Sequence, residues 1–261
     1  MVFCPLYSGS SGNSIFVGSE KTKILIDVGL SGKNIDKALC EIGENPGEIK
    51  AIFITHEHSD HVKGAGVLSR KYNIPVYANE KTWQSIYGKM GKVKEENIKV
   101  LNTKFVEVGD LCIENYSIPH DAIDPVGYAV HYKNKKACIA TDLGYFTEEV
   151  EKAIKDSDVL LIESNHDVEM LKFGPYPYTL KRRVLSDVGH LSNDACGEAI
   201  VKITNSSPKE IYLGHLSKTN NYPDLAYKTV ENTLVDNGIE IGRDVFLTMA
   251  NRDKPSKYVT F

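Results

Sequence analysis

Cysteine is scarce and dispersed in this 261-residue chain: Cys4, Cys40, Cys112, Cys138 and Cys196 form no CxxC pair and are odd in number. That excludes a disulfide framework and a thiolate zinc site, and it reads as a reduced, cytoplasmic protein. Long apolar runs are missing as well. The longest, such as "KILIDVGL", fall far short of the ~20 residues of a membrane span, and "MVFCPLYSGSSGNS" has no basic n-region or apolar stretch of a signal peptide. Positive charge is not in excess, since 31 basic residues face 35 acidic ones for a net −4. The chain as a whole is no polycation that would hold nucleic acid indiscriminately, which leaves only a local basic groove. No Pro- or Ser-rich linker and no short repeat interrupts it, so a single domain over 1–261 is expected.

What is present alternates between short strands and helices. "VFCPLY", "SIFVG" and "KILIDVG" read as strands between Gly/Ser/Asn turns, and Ile35, Ala38, Leu39 and Ile42 fall at helical spacing within 30–44. "AIFIT" and "IPVYA" are further strands, with a helix starting near Asp60 or His61 and a helix plus polar connection over 79–100. Two hairpins are predicted, turning at Gly109-Asp110 and at Asn134-Lys135. From Thr147 the pattern is helix, strand ("SDVLLIES"), helices, strand ("EIYLGH"), a helix over 224–237 and a last strand ("DVFLTMA"). Two batches of strands, each followed by helices, suit an α/β fold of two packed sheets with helices outside, a four-layer αββα sandwich.

One stretch stands out. "AIFITHEHSDHVKGAG" places three of the chain's eight histidines within six positions. Imidazole and carboxylate together are the usual ligands of zinc, manganese and iron, and a loop at the end of a buried strand can aim several of them at one point. His56, His58, Asp60 and His61 are therefore candidate ligands. One loop cannot enclose a metal, and three further candidates sit at predicted strand ends: His120 in "YSIPHD", Asp142 in "CIATDLG" and His215 in "IYLGHLS". Glu57, inside the motif, is expected to face away, and His131 to be an outward strand residue.

In order and spacing these groups closely resemble the metallo-β-lactamase-fold hydrolases. The resemblance implies that His56, His58 and His120 hold one divalent ion (Zn, Mn or Fe), that Asp60, His61 and His215 hold a second, and that Asp142 bridges them. It also implies that Asp27 in "LIDVG" supports the histidine loop without ligating. Two such ions can share a water and lower its pKa toward neutrality, giving a hydroxide that attacks an electrophile, with Asp60 orienting it.

The substrate must be read from other segments, since one fold serves lactams, thioesters and phosphodiesters. "SGSSGNS" offers Ser8, Ser10, Ser11 and Asn13 to phosphate oxygens, or is simply a hairpin turn. His166 in "ESNHD" and His190 in "GHLSN", just before a helix start capped by Ser192 or Asn193, are candidate proton donors to a departing alkoxide, or groups that orient a ligand or cap the helix. "KFGPYPYTLKRRVLSD" supplies Lys181, Arg182 and Arg183 with neighbouring tyrosines, and Lys218 follows His215. These could grip phosphates and stack a base, or form a solvated helix face. Together "SGSSGNS", "ESNHDVEML", "GHLSN" and "GHLSKTN" resemble the YycJ/WalJ (VicX) subgroup. That resemblance implies a 5′-to-3′ DNA exonuclease, with DNA as the partner and no membrane. The alternatives are a cyclic-phosphate phosphodiesterase resembling PhnP and a thioester hydrolase like glyoxalase II.

Overall fold

The structure, a computed structural model, describes residues 1–204 and 207–261. The first half of the chain runs β1 (Val2–Tyr7), β2 (Ser14–Gly18), β3 (Lys23–Ile26), α1 (Gly32–Glu41), β4 (Ile49–Phe53), α2 (Ser59–Val62), α3 (Ala65–Tyr72), β5 (Val76–Ala78), α4 (Glu80–Ile86) and β6 (Ile98–Val100). The second half runs β7 (Phe105–Val108), β8 (Leu111–Ser117), β9 (Val126–Tyr132), β10 (Lys135–Ala140), α5 (Glu148–Ile154), β11 (Val159–Glu163), α6 (Val168–Phe173), α7 (Tyr178–Val184), α8 (Asn193–Ile203), β12 (Lys209–Gly214), α9 (Pro223–Asp236), β13 (Val245–Met249) and β14 (Val259–Thr260).

The strands form two seven-stranded sheets, ordered β14-β1-β2-β3-β4-β5-β6 and β13-β12-β11-β10-β9-β8-β7. In each, one half is antiparallel and the other parallel: β3 to β6 run together in the first sheet, and β10 to β13 in the second. Strand periodicity explains the layering. Ile15, Val17, Ile24 and Ile26 point between the sheets to meet Tyr128, Ile139, Leu161 and Tyr212. Their neighbours Phe16 and Leu25 point outward and are covered by Ile35 and Leu39 of α1, Leu68 of α3 and Trp83 of α4. In the second sheet Leu160 and Ile162 meet Val150 of α5, Ile200 of α8 and Val230 of α9. Three apolar layers thus separate helices, sheet, sheet and helices, the αββα sandwich read from the strand pattern.

The second hairpin turns one residue earlier than expected, at Lys133-Asn134, with Lys133 left-handed at φ 54°. Lys135 instead pairs with Tyr132 as the first rung of β10. The polar connection before residue 100 ends in β6, whose three residues "IKV" are too short and too exposed to alternate visibly. Among the described residues no helix is long and apolar enough to cross a membrane.

Leu161 is fully buried between the sheets, whereas Val235 on α9 is exposed. Leu161→Ala is expected to lower unfolding free energy by about 2–5 kcal/mol, and Val235→Ala to stay within about 0.5 kcal/mol of the parent. Urea titration followed by circular dichroism measures both.

Candidate metal centre

The parallel halves of the two sheets end at one edge, and the polar residues that follow those strands meet there. Asp27 follows β3, and the loop after β4 carries Thr55, His56 and His58 into α2 with Asp60 and His61. From the second sheet come Asp142 after β10, Glu163 as the last residue of β11 and His215 directly after β12. Asp27, Asp142 and His215 are all left-handed, with φ of 59°, 59° and 54°. This conformation costs a non-glycine residue about 1–2 kcal/mol, and it bends each chain sharply so that the side chain turns in over the strand ends.

The nitrogens converge as a ligand set does. His58 Nδ1 lies 3.0 Å from His56 Nε2 and 3.3 Å from His120 Nε2. His61 Nε2 lies 3.6 Å from Asp60 Oδ2, and His215 Nε2 is 4.0 Å from that same oxygen. Asp142 stands between the two groups, Oδ1 3.6 Å from His120 Nε2 and Oδ2 3.3 Å from His61 Nε2. The second nitrogen of each buried imidazole in these groups is already held: His56 Nδ1 by Thr55 Oγ1 at 2.9 Å, His61 Nδ1 by Asp27 at 2.7 Å, His120 Nδ1 by the Gly189 carbonyl at 3.2 Å, and His215 Nδ1 by Glu163 at 2.7 Å. Such outer contacts fix tautomer and ring angle for a metal on the other nitrogen. Meanwhile Asp142 Oδ2 and His215 Nε2 are buried without any hydrogen-bond partner. Donors bunched within 4.8 Å, two of them orphaned, fit divalent cations.

Electrostatics tells the same story. Burial, reinforced by repulsion from His61, holds His56 well below the usual imidazole range, ready to ligate as a neutral ring. Burial also lowers His120. Burial should lower His61 too, but Asp27, Asp142 and Asp60 outweigh it and lift His61 to about 10. Without a cation, a proton on His61 answers these carboxylates.

A match to the Metallo-beta-lactamase superfamily covers residues 7–215. The chain belongs to that superfamily. Within it, the chain is 40% identical over 98% of its length to a Bacillus anthracis protein named Exodeoxyribonuclease YycJ, covering 97% of that protein. It is 45% identical over 92% of its length to Exodeoxyribonuclease WalJ of Streptococcus pneumoniae serotype 2, covering 90% of that one. In fold it resembles the solved zinc-bound PqqB of Methylobacterium extorquens, with a TM-score of 0.72 at 17% identity over the full length of both chains. The chain is thus a hydrolase of the metallo-beta-lactamase superfamily, with a His/Asp centre suited to divalent metal.

Around this superfamily centre the other sequence candidates take varied places. His190 joins it, its Nδ1 2.8 Å from Glu163 and 3.8 Å from Asp142. Burial pulls His190 down, but Glu163 and Asp142 raise it to about 9. His166 belongs to none of the donor groups found among the described residues and sits behind His190. Ser8 and Asn13 are not open to a phosphate as expected: both are buried, Ser8 Oγ accepts the His215 N–H, and Asn13 receives the Gly9 N–H and reaches Asp60 and His61. Ser10, Ser11 and Lys218 are exposed. Arg183 is paired with Asp121 beside His120, Lys181 donates to the Lys172 carbonyl, and Arg182 lies over the Tyr178 ring. Glu57 accepts the Ile123 N–H and so ties the histidine loop to the loop of His120. His131 pairs outward with Glu114 across the sheet.

Glu163 was passed over in the sequence although it lies inside "ESNHD". It is fully buried and accepts from His190, His215 and the N–H groups of Leu143 and Leu191. His190 and His215 hold its carboxyl at about 2 against the pull of burial. The available signal was a lone acid closing the otherwise apolar strand "VLLIE".

Glu163→Gln keeps the shape but loses an acceptor, so zinc affinity should fall about 10–100-fold, read by calorimetry; unchanged affinity would refute the supporting role. Zinc binding near neutral pH should also release at least one proton, since His61 must give up its own. Calorimetry in buffers of different ionisation enthalpy counts it, and affinity should weaken roughly tenfold per unit of acidification for each proton displaced.

Proposed function

We propose that this protein is a metal-dependent phosphodiesterase that removes nucleotides from the 5′ ends of DNA. One observation carries the reading: this centre lies in a chain 40–45% identical, over nearly its whole length, to relatives named exodeoxyribonucleases. His56, His58 and His120 would hold one divalent ion, and Asp60, His61 and His215 a second, with Asp142 between them. Bound, such a pair supplies Lewis acidity and acidifies water toward neutrality.

The chain's own groups do the rest. Asp60, whose side chain retains 24% exposure, orients the incoming water. His190 Nδ1 is committed to Glu163, which leaves Nε2 to donate a proton to the departing oxygen. Water adds OH to phosphorus, the P–O3′ bond breaks, and O3′ leaves as the hydroxyl of the released nucleotide. The phosphate stays on the shortened strand. Strand-binding surface flanks the centre. α7 is tied to it through Arg183 and Asp121, and α6 and α7 present exposed Lys172, Phe173, Tyr178 and Arg182. Exposed aromatics among cations suit bases and phosphates. On the other side, the Gly9–Leu216 bridge seats the loop bearing Ser10 and Ser11 beside His215.

Metal-loaded protein should release mononucleotides from the labelled 5′ end of duplex DNA, tested with and without a 5′-phosphate. Cleavage confined to a cyclic ribose phosphate or a glutathione thioester would overturn the reading. Asp142→Ala should abolish turnover, and His190→Ala should lower kcat about 10²–10⁴-fold. Wild-type rates in either variant would remove that residue's role.

A further inference from the structure

Beside the metal centre, and sharing His190 with it, lies a cavity of about 320 Å³. Tyr145 and Phe146, from the loop after Asp142, contribute aromatic rings, and Ala195 and Ala199 of α8 contribute small apolar surface. His166 supplies a polar group. Its backbone is pinned, because its carbonyl accepts the Asn193 N–H at 2.9 Å and it bridges to Ser192. The residue is 2% exposed, and Nδ1 has no hydrogen-bond partner. A buried polar atom left unpaired is costly, and the residue that carries it lines the cavity. Burial holds this ring at about 4, against the pull of Glu163, so it is neutral and offers one donor and one acceptor.

We propose that this cavity is the subsite for the base of the 5′-terminal nucleotide, which stacks on Tyr145 and Phe146 with its edge toward His166. The proposal rests on the exonuclease reading, and chemistry connects the two. His190 protonates O3′ of the terminal nucleoside as it departs, so that nucleoside extends from the oxygen that His190 touches. His190 is also part of the cavity lining. A volume near the lower end of small-molecule sites suits one nucleoside and not a continuing strand. The subsite would therefore favour chain ends over internal positions. Aromatic walls with a few polar groups fit a flat heteroaromatic, and Glu198 and Lys202 in the lining leave it without net charge to draw a second phosphate.

Two measurements test the subsite. In the first, the 5′-terminal base of a DNA substrate is replaced by an abasic residue. kcat/KM should fall about tenfold or more, the worth of stacking one base, and the ratio should shrink toward one in Ala195→Phe, which fills the cavity from a partly exposed helix position, and in Tyr145→Ala. In the second, metal-loaded protein is titrated with a dinucleotide bearing 2-aminopurine and an uncleavable methylenephosphonate link. Fluorescence should be quenched when the probe is the 5′ base, less so when it is the 3′ base, and not in Ala195→Phe. DNA degraded equally well with and without the terminal base would overturn the subsite and leave the exonuclease standing. No degradation of any DNA would overturn the exonuclease reading, and the fluorescence titration would still decide whether the cavity takes a base.

Discussion

Six imidazoles and four carboxylates, taken out of water and brought to one point, cannot satisfy one another. Asp27, Glu163, Thr55 and the Gly189 carbonyl each occupy one nitrogen of a histidine, and that leaves the opposite nitrogens facing each other at 3.0–3.3 Å. Two facing nitrogens can share at most one proton, and Asp142 Oδ2 and His215 Nε2 have no hydrogen-bond partner. A buried polar cluster left incomplete is worse than an apolar core. The protein's own hydrogen bonds therefore stop short at a donor cluster suited to divalent cations, and much of the local architecture follows from holding those donors together.

The sandwich makes this possible because its two sheets repeat one arrangement. Each has a parallel half whose strands end at the same edge, and ligands in such sheets collect beyond the carboxyl ends of parallel strands. The first sheet delivers the compact histidine loop, and the second delivers single residues from separate strands. The left-handed turns at Asp27, Asp142 and His215 are the local cost of aiming these side chains inward. Packing of the three apolar layers bears that cost, since the strands carrying these residues are buried on both faces.

Legibility in the sequence tracked chemistry and periodicity. The histidine loop declared itself through residue type and spacing, and His120, Asp142 and His215 through their positions at strand ends, all of which depend on local pattern. Glu163 did not declare itself, because its partners His190, His215, Leu143 and Leu191 are distant in sequence and only the parallel register of β10, β11 and β12 brings them together. Ser8 and Asn13 misled for the converse reason: a Gly/Ser/Asn loop looks like an open phosphate cradle until the fold presses it against β12 and α2. The hairpin shift from Asn134-Lys135 to Lys133-Asn134 has a smaller cause. Lysine is a poor advertisement for a left-handed turn position, so asparagine drew the assignment one residue on.

Glu163 also couples two jobs that could have been separate. Its Oε1 holds both His215, which faces the ligand cluster, and His190, the proposed proton donor, which lines the cavity. Any shift of this carboxylate moves a metal-facing nitrogen and a proton donor together. The two backbone donors, Leu143 beside Asp142 and Leu191 beside His190, add the loops on either side to the same anchor. The proposed donor is therefore tied to the ligand set through a buried strand end. In the proposed mechanism that arrangement would fix the acid relative to the metal-facing groups, while the proposed substrate contacts on α7 and around the cavity could vary without disturbing either.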